Sequence, residues 1–76
     1  MDKEKAQKVR ATIAEVVGFE VDEIADGDRF ITDYNIAYTE RKALLERLNS
    51  EFGKDVDFTS FCALEDVSSV VSAFAA

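Results

Sequence analysis

The stretch from Phe30 to Gly53, FITDYNIAYTERKALLERLNSEFG, constrains this chain more than any other part. Its second half carries Leu44, Leu45, Leu48 and Phe52 at three- and four-residue spacing, the pattern of a helix with one buried stripe. Gly53 follows at once, where a helix end favours a residue free to turn left-handed. The first half has no such period. A helix that is apolar on one side needs other apolar surfaces to cover it, and the rest of the chain supplies them.

Ala6, Val9, Ile13, Val16 and Val17 predict an amphipathic helix over residues 3–17, stopped by Gly18. Leu64, Val67, Val70, Val71 and Phe74 predict a last helix, with Glu65, Ser68, Ser69 and Ser72 on its outer side. Val56, Phe58 and Phe61 suit a short third helix. From Phe19 to Tyr38 no period is sustained, and Asp22-Glu23-Ile24 and Asp26-Gly27-Asp28 read as turns. Val21, Ile24, Phe30 and Ile31 would pin this long first loop to the core. Thr39 suits the N-cap of the helix that follows, with Glu40 in its first turn. The expected architecture is all-α: one domain over residues 1–76, a four-helix bundle with three main helices, a short third one and a long first loop. Loops of that length in so small a domain tend to be functional.

Charge and composition exclude several classes. The net charge of −7 argues against nucleic acid and anionic membranes as partners. It is unevenly placed: residues 18–38 hold six acids against Arg29, whereas residues 39–52 balance three against three. No apolar run is long enough to span a bilayer and no signal-peptide pattern opens the chain, so a cytoplasmic protein without membrane insertion is expected. With no histidine and a single cysteine, Cys62, neither a disulfide framework nor a structural metal site is expected. Cys62 lies in the apolar run Phe61-Cys62-Ala63-Leu64 and reads as a small buried hydrophobe. Catalysis has no support either, because no nucleophile–base pair and no phosphate-binding glycine loop is found.

The same central segment resembles acyl carrier proteins. That family reads Phe-x-x-Asp-Leu-Gly-x-Asp-Ser-Leu, then a helix ending Leu-x-x-x-Phe-Gly. Aligned without a gap, Phe30, Asp33, Leu44, Leu48, Phe52 and Gly53 match, and Gly18 and Ile24 keep the family spacing upstream. Phe61-Cys-Ala-Leu-Glu-Asp-Val67 is similar to the start of the family's final helix. The resemblance extends from Val9 to Phe74, with about three residues fewer between Val56 and Phe61 than many carriers have. It implies a carrier fold, and it implies 4′-phosphopantetheine as cofactor. However, the family's Asp-Ser-Leu falls on Ala37, Tyr38 and Thr39, so the serine that holds the arm is replaced by Tyr38. No cofactor is therefore expected. Thr39 is one residue out of register and lacks a preceding aspartate, which leaves it a remote candidate for attachment.

A second departure lies on the outer face of the central helix. Helical geometry at about 100° per residue puts Thr39, Lys42, Ala43, Glu46 and Ser50 opposite the buried stripe. The resemblance implies apolar contacts flanked by glutamates there, for docking to basic enzyme sites. Here Lys42 and Glu46 stand at apolar positions, and Ala43 and Ser50 at acidic ones. The expected function is that of a non-carrying homologue serving as a protein-interaction module, in bacterial lipid or polyketide-type metabolism by analogy. A monomer is expected, its partner contacting Tyr38, Arg41, Lys42, Glu46 and Arg47. The alternative is a working carrier with atypical arm attachment; a third reading is a non-covalent binder of a fatty chain.

Two further readings concern single features. Tyr38 is either a partner anchor or a half-buried ring covering the end of the core, and the latter is preferred. Asp22, Asp26 and Asp33 around Gly27 are similar to a calcium loop, but Ile24 occupies a ligand position and the last position is not glutamate. A solvated acidic loop is the better account.

Overall fold

The computed structural model describes residues 2–76. Four helices follow in order: α1 (Lys3–Val17), α2 (Tyr38–Phe52), α3 (Phe58–Cys62) and α4 (Val67–Ala75), with one 3-10 turn at Val21–Glu23 between the first two. No strand occurs among the described residues.

Each helix starts and stops where its local chemistry dictates. Asp2 caps α1, its Oδ1 accepting the Glu4 N–H at 2.9 Å, and Gly18 ends it at φ 81° with its N–H on Ala14 O. Gly53 ends α2 in the same way at φ 62°, its N–H on Asn49 O. Asp57 and Asp66 cap α3 and α4 through the N–H groups of Ser60 and Ser69. Hydrogen bonding from these serines, side chain first, holds both carboxyls below the usual carboxylate range.

The apolar stripes then meet. Val9 and Ile13 of α1, Leu44 and Leu48 of α2, Phe61 of α3 and Val67, Val70 and Phe74 of α4 are all essentially inaccessible. Phe74 packs against two other rings, its centroid 6.2 Å from that of Phe61 and 6.3 Å from that of the half-buried Phe52. Packing α1 against both α2 and α4 removes this apolar area from water, which is the main stabilising term for a domain of this size.

The long connection from α1 to α2 is stitched down. Ile24, Phe30 and Ile36 are buried, whereas Ile31, expected to help anchor the loop, is 56 % exposed. The Phe30 N–H donates to Glu65 O, and the N–H groups of Val67 and Ser68 donate to Asp28 O and Asp26 O. Arg29 and Asp66 thereby form one isolated antiparallel bridge. This ladder fixes the loop against the start of α4 and positions both sides of the site described next.

Candidate partner face and an arginine-lined cleft

Helix α2 begins one residue earlier than its expected cap. Ala37, not Thr39, is the N-cap residue, and having no side-chain acceptor it is capped in reverse: Glu40 Oε1 accepts the Ala37 N–H at 2.9 Å. Thr39 lies inside the first turn and is exposed. Tyr38, at the first helical position, is 64 % exposed rather than half-buried. Its ring meets Phe58 edge-on, with centroids 4.9 Å apart, so one edge is fixed while the rest faces solvent.

Of the residues expected to meet a partner, Tyr38, Lys42 and Glu46 are exposed, together with Thr39, Ala43 and Ser50 on the same face. Arg47 is exposed but turned toward α1, where it pairs with Glu15. Arg41 corrects the expectation outright. It is 8 % exposed, and its Nη2 donates to Cys62 O at 3.1 Å and Leu64 O at 3.3 Å. Its guanidinium carbon stands 6.0 Å from the Phe30 ring centroid, within cation–π range. The spacing carried this information: Arg41 precedes Leu44 by three residues and Leu45 by four, which puts it on the buried stripe. Its charge argued the other way. The reason burial prevails is that the carbonyls of Cys62, the last residue of α3, and of Leu64 just beyond it need donors, and a long side chain on α2 reaches them.

This arrangement leaves a charge unbalanced. Arg41 Nε is buried without a hydrogen-bond partner, and among the described residues no carboxylate pairs with Arg41. A cleft of about 370 Å³ opens beside it, lined by Arg29, Ile31, Thr32, Arg41, Cys62 and Glu65. Cys62 is thus a half-buried thiol on a cleft wall and not a core residue. Asp66 feels Arg29 as well, a smaller contribution than Ser69 makes to its lowered pKa.

A larger cleft, about 560 Å³, runs between α1 and the far end of α2, past Lys5, Lys8, Arg47, Glu51 and Lys54. Thr12 donates to Glu51 Oε2 at 2.7 Å along its floor. The acidic loop residues are engaged separately. Asp26 pairs with Arg10 at 2.6 Å, and Asp33 Oδ2 accepts the Arg29 N–H at 2.8 Å. Among the described residues, no three His, Cys, Asp or Glu side chains converge as metal ligands, and no helix is long and apolar enough to cross a membrane.

No model of a known protein family matches this chain, and a search of curated proteins finds no match either.

Proposed function

We propose that this chain is a non-carrying relative of acyl carrier proteins that works as a protein-interaction module, its partner meeting the outer face of α2. The observation that carries the reading is the exposure of Tyr38 at the first position of α2, where the resembling family has its arm-bearing serine. A phenol there is neither the usual acceptor nor the same size. Beside it, Lys42 and Glu46 give the face one charge of each sign. Such a face suits a partner of mixed charge, since burying the Lys42 ammonium in a basic, apolar-centred site would cost several kcal/mol. Arg41 is withdrawn from this face, and Arg47 sits at its α1 edge.

The fatty-chain reading has less behind it. Phe30, Phe61 and Phe74 fill the space between the helices and are each 1 % exposed. The test is the intact mass of the protein from its native host, followed by co-purification of wild type against the double variant Lys42→Glu, Glu46→Lys. An unmodified mass and a partner lost on charge reversal are expected. A mass raised by a phosphopantetheine arm would overturn the reading and favour the atypical carrier.

A further inference from the structure

We propose that the cleft between residues 29–32 and 62–65 binds a small organic monocarboxylate, its headgroup on Arg41 and Arg29 and its short apolar tail along Ile31. The inference stands apart from the partner reading, because Tyr38, Lys42 and Glu46 do not line this cleft.

The argument starts from Arg41. A guanidinium keeps its charge in any protein environment, and here it is more than nine-tenths buried. Both of its hydrogen bonds come from Nη2 and go to neutral carbonyls, while Nε is buried and unused. Buried polar groups of this kind are rarely left without a partner, and a buried cation without an anion is costlier still. Nε itself has no accessible surface, so an anion would offset this charge from the part of Arg41 that lines the cleft. Arg29 lines the same cleft and has no ion pair among the described residues, so a second cation faces the same space. Two arginines without a salt bridge at one cleft stand out on a chain of net charge −7.

The walls narrow the ligand. A volume of about 370 Å³ lies at the small end of the range for small-molecule sites. Ile31 contributes an apolar side chain that is 56 % exposed. Glu65, which also lines the cleft, repels a dianion such as phosphate more than it does a monoanion. The flat guanidinium fork matches the two oxygens of a carboxylate.

The test is an amide-resolved NMR titration of the full chain with hexanoate, with hexanol and inorganic phosphate as comparison probes. Saturable shifts are expected at residues 29–32, 41 and 62–65 with hexanoate, none with hexanol, and weaker ones with phosphate. Arg41→Met should abolish binding. Arg29→Gln should weaken it roughly tenfold, the worth of one charge-assisted contact. Ile31→Asp, at an exposed position, should also abolish it and keeps the test decisive if Arg41→Met fails to fold. The absence of saturable shifts at millimolar hexanoate would overturn the proposal. So would equal shifts with hexanol, phosphate binding as tightly as hexanoate, or binding unchanged in Arg29→Gln and Ile31→Asp.

Discussion

Asn49 and Val56 exchange two hydrogen bonds across the end of α2: Asn49 Nδ2 donates to Val56 O at 3.0 Å, and the Val56 N–H donates to Asn49 Oδ1 at 3.1 Å. The side-chain amide thus does for residues 54–57, which have no regular structure, what a ladder would do for a strand. It holds the link to α3 against the last turns of α2, just beyond the Gly53 turn.

Asn49→Ala should therefore leave a half-buried N–H and carbonyl without protein partners. The expected loss is about 2 kcal/mol, most of it from the orphaned backbone groups. For a domain of this length that lowers the melting temperature by about 10 °C. Urea unfolding should show a lower midpoint with an unchanged slope, since the surface exposed on unfolding is the same. A loss within error of zero would mean that water replaces the clasp without cost.

The glycines make a contrast of sign. Gly18 and Gly53 have φ of 81° and 62°, and a Cβ on either would meet nothing within 4 Å. Gly18→Ala and Gly53→Ala should each cost about 1 kcal/mol, all of it backbone strain. Gly27 is equally open but has no positive φ in the left-handed range. Gly27→Ala should be neutral or stabilise by about 0.5 kcal/mol, through the unfolded chain. Thermal unfolding of the three variants side by side measures the contrast.

The sequence disclosed what repeats locally. The stripes of α1, α2 and α4 are visible because 3.6-residue spacing recurs over several turns, and Gly18 and Gly53 mark their ends. The start of α2 is less legible: Thr39 has the right side chain for a cap, but Glu40 reaching back to Ala37 makes the cap without it. The Arg29–Asp66 bridge has no local signature, since it joins residues far apart in the chain. Arg41 is hard to place for the opposite reason. Its spacing said buried, but the acceptors that make burial tolerable are supplied by residues 62–64, invisible from α2 alone.

Arg41 also gives a stability prediction that is separate from any ligand. Arg41→Met retains a long apolar side chain at this buried position and removes a buried charge, while Cys62 O and Leu64 O lose their donor. These effects oppose one another, so the net change should lie within about 1 kcal/mol. Arg41→Ala loses the stem as well and should cost about 3 kcal/mol. If urea unfolding shows the two variants to be equally destabilised, the side chain acts only through its carbonyl contacts and not through packing.

The last prediction concerns pH. Tyr34 is half-buried, with its ring 5.2 Å from Phe19 and 5.9 Å from Phe30, and its hydroxyl donates to Asp28 Oδ2 at 2.6 Å. Burial, then the hydrogen bond to Asp28, raises the Tyr34 pKa well above its ordinary value. The Tyr34 hydroxyl, then the Ala25 N–H, lowers that of Asp28. The signs follow from linkage. A depressed carboxylate contributes stability that is complete above the unfolded pKa of about 3.9 and is lost as pH falls through the folded value. A raised phenol contributes stability that is complete below about 10 and is lost as pH rises through the folded value. The pair's contribution should therefore be flat between those limits and decline on both sides. Tyr34→Phe keeps the ring contacts and removes the shared proton. Its deficit relative to wild type should be about 1 kcal/mol across the flat window, allowing for partial solvent screening. That deficit should shrink toward low pH as Asp28 becomes protonated in the folded wild type. In Tyr38→Phe, where Tyr34 is the one remaining tyrosine, the phenolate absorbance should appear only above the pH at which free tyrosine ionises. Phenolate appearing at the ordinary pH while the protein stays folded would mean that Tyr34 is not held by Asp28 in solution.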